Sequence, residues 1–317
     1  MINNFSQLKG NDLKELLTQV EKFPFLYREL LNFPENISMG VEVEFEKANV
    51  HLIWPFMKNY PGWKIKKDYS LKNGLEINTP IMYNQQKDWQ ALKEVLQELQ
   101  KEKVNSHGHA GTHFHLGTPI LGNDVASWQN FLLMYAYYED ILVHFFYGER
   151  TKERITFKRF SQPLAPLLSA SVDKIVSLSR VENIMAFFPH THESAISLNN
   201  VVFQRLNKNE EYNTIEFRAP NGTINETVCQ NNINAGVWLL LGAKNNNIDK
   251  EYLAYQLKNH PISASQIYLY RYINISKALE FCDLVFKDEM DKIYFLKQYL
   301  KGYQENKGMI LERKIKF

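Results

Sequence analysis

Gly40-Val41-Glu42-Val43-Glu44-Phe45-Glu46 alternates apolar and acidic residues without a break. Successive side chains of a strand point to opposite faces. Val41, Val43 and Phe45 therefore share one face, and Glu42, Glu44 and Glu46 share the other. Three further stretches have the same design. Asp68-Tyr69-Ser70 runs into Gly74-Leu75-Glu76-Ile77-Asn78-Thr79-Pro80; Gly111-Thr112-His113-Phe114-His115-Leu116-Gly117 puts two histidines on one face; Thr214-Ile215-Glu216-Phe217-Arg218 does the same with an acid and an arginine. Paired in one curved sheet, these faces converge into an acidic bowl with histidine and arginine at its edge. Such a bowl suits divalent cations and the phosphates they carry.

Between these strands the spacing is helical. Leu13, Leu16, Leu17 and Val20 predict a helix from Asn11, which Pro24 breaks or kinks before Phe25 to Phe33. A short helix is predicted from Leu52 to Tyr60, and an amphipathic one from Lys87 to Val104 with Trp89, Leu92, Val95, Leu96 and Leu99 on one face. Asp124 caps a long apolar helix to about Tyr147. More helix is predicted from Val172 to Phe188, then a hairpin of Ser194–Leu206 and Asn213–Pro220 turning at Lys208–Glu211, then a helix from Asn225 to about Ala243 and a mostly helical remainder. Hairpins interspersed irregularly with helices favour an α+β fold with an antiparallel sheet. The chain divides into an N-terminal helical segment (1–36), a core (37–245) and a helical C-terminal part (246–317) packed on the core.

A hydrophobic fraction of 44% and a charged fraction of 23% over 317 residues are those of a soluble globular protein. A net charge of +2 gives no case for nucleic acid or membrane as partner. The N-terminus lacks the basic-then-apolar pattern of a signal peptide, and no apolar run reaches the ~20 residues of a membrane span. A cytoplasmic location is expected. Cys229 and Cys282 are too few for a disulfide framework and read as buried thiols.

Each motif has a bland alternative. Alternating carboxylates are often a solvated strand face; Asp68 and Ser70 are turn formers; Glu216 and Arg218 can be a plain ion pair. The histidines are harder to set aside. His107, His109, His113 and His115 are four of the nine in the chain, and imidazole is a good ligand for divalent metals. Arg218 offers a fork matched to phosphate oxygens. Arg150, Arg154, Lys158 and Arg159 form a basic segment, which reads either as a solvated loop or as one that reaches a nucleotide phosphate. The chain has no Gly-x-x-x-x-Gly-Lys-Ser/Thr loop, no Gly-x-Gly-x-x-Gly, no His-Glu-x-x-His and no Gly-x-Ser-x-Gly, so a nucleotide would be held by metal bridges and scattered basic residues.

The order of these motifs, with Ser197-Leu198-Asn199 and Gly222-Thr223, resembles the amidoligase family of the carboxylate–amine ligase superfamily, from about Met39 to Asn225. The resemblance implies a curved antiparallel sheet of the glutamine synthetase and glutamate–cysteine ligase type, with surrounding helices, holding ATP and magnesium (or manganese) on its concave face. It implies metal ligation by Glu42, Glu44, Glu76, His113 and Glu216, and catalytic parts for Glu44, His115 and Arg218. Asp68, Ser70, Asn199, Arg205 and Arg159 fall on the substrate or nucleotide side. His107-Gly108-His109 departs from the pattern, where family members tend to have small polar residues. The implied activity is ATP-dependent joining of a small-molecule or peptide carboxylate to an amine through an acyl phosphate; an oligomer is open. A hydrolase using the His/Glu cluster on zinc or manganese, and a non-catalytic binding relative, are the alternatives. Carboxylates outnumbering histidines, with no cysteine among them, favour magnesium over zinc.

Overall fold

The computed structural model describes residues 4–106, 109–147, 157–188, 193–201, 213–244, 248–268, 273–300, 303–306 and 309–312. In chain order the elements are α1 (Gly10–Lys22), β1 (Met39–Phe45), α2 (Val50–Met57), β2 (Lys64–Asp68), β3 (Gly74–Asn78), α3 (Gln86–Lys101), β4 (Thr112–Gly117) and α4 (Val125–Phe146). There follow the short α5 (Phe157–Phe160), α6 (Ala165–Ser169) and α7 (Val172–Val176), then β5 (Ile196–Ser197), β6 (Thr214–Phe217) and α8 (Glu226–Ala243). The chain continues with α9 (Lys250–Asn259), α10 (Ala264–Tyr268), α11 (Ile275–Val285), α12 (Glu289–Tyr299) and a hairpin of β7 (Tyr303–Asn306) and β8 (Met309–Glu312).

The six-stranded sheet runs β2-β3-β1-β4-β6-β5, and every neighbouring pair is antiparallel. One face carries Val41, Val43, Phe45, Ile77, Phe114, Leu116, Ile215 and Phe217, all buried. It packs on α4 and α8, which are buried almost all round, as helices at the centre of a large core are. Phe114 stacks on Phe217, with ring centroids 4.6 Å apart and planes 8° from parallel. Gly236 of α8 meets this stack so closely that a Cβ there would lie 2.5 Å from the Phe114 ring.

The outer helices tie the chain's two ends to this core. Phe145 of α4 stacks on Phe295 of α12 at 4.5 Å. Asp291 of α12 accepts hydrogen bonds from Arg28 Nη1 (2.7 Å), Asn234 Nδ2 (3.0 Å) and Trp238 Nε1 (3.1 Å), joining the segment before β1 to α8. Asp283 accepts from the backbone N–H of Phe5 and Ser6 at 3.0 and 2.7 Å.

The long helices stand where the apolar spacing predicts them: Asp124 caps α4 through the N–H groups of Ala126 and Ser127, and Asn225 caps α8 through that of Val228. Several local expectations are corrected. Val172–Phe188 is not one helix: α7 stops at Val176, and a 3-10 segment covers Val181–Phe187. The strand predicted from Ser194 narrows to Ile196–Ser197, because the Val201 N–H turns back to the Leu198 carbonyl; its continuation past Val201 and the Lys208–Glu211 turn lie outside the described residues. The mostly helical remainder, α9 to α12, also carries an antiparallel hairpin of β7 and β8. Among the described residues no helix is long and apolar enough to cross a membrane.

The Gly236 seam allows a direct test. Gly236→Val must push Phe114 off Phe217, and should lower the unfolding free energy by about 1–3 kcal/mol, read from urea denaturation. An unchanged midpoint would mean that α8 does not fix the sheet in this way.

Candidate functional site

The strand registers place the acidic face as a grid. Across the sheet, Lys64 stands opposite Asn78, Asn78 opposite Glu42, and Glu42 opposite His113. One row along, Lys66 stands opposite Glu76 and Glu76 opposite Glu44; on the other side, Gly40, His115, Glu216 and Ser197 form a third row. Pairing carries all of these side chains to the face away from the helices. Glu42, Glu44, Lys66, Glu76, His113, His115 and Glu216 line a cavity of about 360 Å³ with Asp68, Ser70, His109, Phe160, Asn200 and Arg218.

His113 sits at the middle of the floor and is buried. Its Nδ1 lies 3.5 Å from Glu42 Oε2 and 3.7 Å from Glu216 Oε1, and its Nε2 lies 3.7 Å from Glu44 Oε1. These are too long and too poorly aligned for hydrogen bonds, and neither ring nitrogen has a hydrogen-bond partner among the described residues. A buried ring with both nitrogens unsatisfied calls for an explanation, and carboxylates on both sides supply one if a cation lies between them. Glu42, His113 and Glu216 each offer a donor atom within 4.8 Å of the others, and Glu44, Asp68 and Glu76 form a second such group.

The surrounding residues orient these donors. Glu44 Oε2 accepts from the Gly111 N–H at 2.6 Å, and Glu42 Oε1 accepts from Asn78 Nδ2 at 3.1 Å. His115 bridges Glu42 Oε1 (3.2 Å from its Nε2) and Thr214 Oγ1 (3.2 Å from its Nδ1). The Arg218 guanidinium is paired with Glu216, and Asp68 accepts from the Ser70 N–H at 2.7 Å. Burial alone would raise the Glu42 carboxyl, but the His113 and His115 rings beside it hold it well below the usual carboxylate range. Burial likewise opposes charge on His115, yet Glu42 and Glu216 raise its pKa above the ordinary value. Glu76 is shifted upward, first by burial and then by the charge of Glu42, and Lys66 offsets this only in part.

Of the residues singled out in the sequence, Glu42, Glu44, Asp68, Ser70, Glu76, His113, His115, Glu216 and Arg218 converge on the cavity. Asn199 and Arg159 are not among its lining residues: Asn200 lines it instead, and the Arg159 guanidinium lies 4.9 Å over the ring of Phe160. Arg205, His107, Arg150 and Arg154, and the side chain of Lys158, lie outside the described residues. Lys66 is a lining residue that the alternation of Lys64, Lys66 and Asp68 could have shown, since all three share a face. Phe160 and Asn200 had no such signal. Phe160 is carried in by Ser161, whose hydroxyl donates to the Arg218 carbonyl (2.9 Å), and Asn200 by its own carbonyl, which accepts from the Thr214 N–H (3.3 Å). Cys229 and Cys282 are free and buried, and neither lines the cavity.

The site is thus an antiparallel sheet with an acidic, histidine-centred face and an arginine at its edge. A family model described as "putative amidoligase enzyme" matches residues 59–240. That is more than half of the chain, and the protein belongs to this amidoligase family, a family of ligase-type enzymes. The match covers Glu76, His113, Glu216 and Arg218 but starts after β1, so Glu42 and Glu44 join the site through strand pairing. No curated protein matches the chain.

The upward shift of Glu76 has a measurable consequence. A carboxyl whose folded pKa exceeds its unfolded value adds stability below the unfolded value and loses it as pH rises through the folded one. In chelator, Glu76→Gln should therefore melt about 2 °C above the parent near neutral pH, with the gain growing as pH rises above the ordinary carboxylate range. A gain that shrinks with pH would contradict this electrostatic account.

Proposed function

We propose that the protein is an ATP-dependent carboxylate–amine ligase that uses magnesium, or manganese, on the concave face of its sheet. The proposal includes a sheet of the glutamine synthetase and glutamate–cysteine ligase type. The observation that carries it is the pair of three-donor groups on one face, Glu42/His113/Glu216 and Glu44/Asp68/Glu76. The donors fit such an ion: they are mainly hard carboxylate oxygens, and the buried His113 ring between them has no hydrogen-bond partner among the described residues. When bound, the cation supplies positive charge against the phosphoryl oxygens and so eases transfer.

A carboxylate cannot be attacked directly by an amine, because its oxygen is a poor leaving group. In the proposed sequence a substrate carboxylate oxygen attacks the γ-phosphorus of ATP, and ADP departs with the electrons of the broken P–O bond. The amine then attacks the acyl carbon of the resulting acyl phosphate. Inorganic phosphate leaves with the C–O bonding pair, the nitrogen gives up a proton, and an amide remains.

The residues divide the work. Arg218, oriented by Glu216, faces charge that develops on the phosphoryl oxygens. Glu44 is fixed by the Gly111 N–H, so it need not reorganise when a cation arrives. His115, engaged by Glu42 on one side and Thr214 on the other, holds the Glu42 carboxylate in place. Asp68, Ser70 and Asn200 stand on the wall where the acid and amine substrates would enter.

Purified protein should melt higher with ATP and magnesium than with either alone, by mass action on the folded state. With an acid–amine pair that supports ADP release, Glu44→Gln and His113→Ala should each lower turnover by at least about 100-fold, with circular dichroism unchanged. Chelation of the metal should abolish turnover. Full turnover in both variants would rule the reading out.

A further inference from the structure

We propose that Lys66 is an internal counter-ion that occupies the cation's place on the acidic face and is displaced when the cation binds, which frees its ammonium for an anionic substrate group. The inference rests on the reading above that the acidic face binds a divalent cation. Lys66 lies on β2, the edge strand, opposite Glu76, which in turn lies opposite Glu44. Its Nζ is 2.9 Å from Glu76 Oε1, and Glu76 is a member of the Glu44/Asp68/Glu76 group. Glu76 Oε1 accepts no well-directed hydrogen bond, so the contact is held by charge rather than by a fixed bond direction.

The two partners differ in freedom. The Glu76 side chain is 8% exposed, whereas that of Lys66 is 57% exposed. The acid is set in the floor; the ammonium rides on a flexible stem and reaches water by rotation alone. After Glu76, the charges of Glu42 and Asp68 also favour the ammonium form of Lys66, and between them these acids belong to both three-donor groups. Arg218, paired with Glu216, is also a cation on this face, but its side chain is only 13% exposed and stands towards the other edge of the sheet.

A cation held by Glu76 and an ammonium 2.9 Å from the same carboxylate repel each other. Entry of one displaces the other. Without a metal, Lys66 offsets part of the repulsion among the acids. With a metal, its ammonium stays on the cavity wall, beside the position of any anion that the metal draws in. Lys66 is thus a positioning residue whose place depends on the state of the cation site.

The test measures Mn²⁺ affinity of the full chain without nucleotide, by calorimetry and by the electron paramagnetic resonance of free Mn²⁺. Lys66→Met keeps the stem and removes the charge; Lys66→Arg keeps the charge. Lys66→Met should bind Mn²⁺ about fivefold more tightly than the parent, as loss of a partly exposed competing charge implies, and Lys66→Arg should stay close to the parent. A plain cross-strand pair would leave Mn²⁺ affinity unchanged or weaken it in Lys66→Met, and either result overturns the counter-ion role. At saturating Mn²⁺, Lys66→Met should bind ATP several-fold more weakly; equal ATP affinity would overturn delivery of the ammonium to the anion. If the parent binds no Mn²⁺, both this inference and the cation-site reading fail. If the parent binds Mn²⁺ and Lys66→Met binds it equally, this inference alone fails.

Discussion

The stack of Phe114 on Phe217, seated against Gly236 of α8, sets the register on which the site depends. With the rings 4.6 Å apart and nearly parallel, β4 and β6 cannot slide without breaking a buried aromatic contact. A slip of one residue would exchange the faces of a strand. His113 and His115, or Glu216 and Arg218, would then enter the helical core, and Phe114 or Phe217 would enter the cavity. Burying uncompensated charge is far more costly than losing one packing contact. The apolar face therefore fixes the polar one: Val41, Val43 and Phe45 hold β1 against the core, and Glu42 and Glu44 are directed outward as a result.

This arrangement carries an electrostatic cost, and the local pairings offset part of it. Glu42 leans on His113 and His115, Glu76 on Lys66, Glu216 on Arg218, and Glu44 on a backbone N–H. Each acid has a partner from the chain, yet the repulsion is only partly relieved, as the upward shift of Glu76 indicates. Sites built for a task commonly give up stability in this way. His113 differs from the other members of the face: it is enclosed, central and without a hydrogen-bond partner among the described residues.

Much of the site was legible because strand alternation is a local code. Glu42, Glu44, Glu76, His113, His115, Glu216 and Arg218 each lie in a run where apolar neighbours mark the buried side, so their common face follows from period two alone. Lys66 follows the same code, but a lysine in a basic strand (Lys64, Lys66, Lys67) resembles solvated surface until Glu76 is placed opposite it. Phe160 and Asn200 were not legible, since neither lies in a periodic run and both arrive through hydrogen bonds between distant segments. Arg159 stands out in the sequence by its charge, and its guanidinium lies over the ring of Phe160, a lining residue of the cavity. The helix expected over Val172–Phe188 failed for a related reason: Val172, Ile175, Val181, Ile184 and Phe187 are buried, but as a short helix and a 3-10 segment fitted around the core.

The position of β1 shows how the face is assembled. It precedes the region that matches the amidoligase model, yet it lies between β3 and β4. Without β1, Glu76 and Asp68 would stand on a two-stranded fragment and His113 and Glu216 on a separate three-stranded one, with nothing to hold them at a common distance. The Glu42/His113/Glu216 group takes one donor from β1 and two from the far side of the sheet; the Glu44/Asp68/Glu76 group takes one from β1 and two from the near side. Glu42 and Glu44, two residues apart on one strand, thus join the two donor groups. The spacing between those groups is fixed by the rise of a strand, a distance that side-chain motion elsewhere in the protein does not alter.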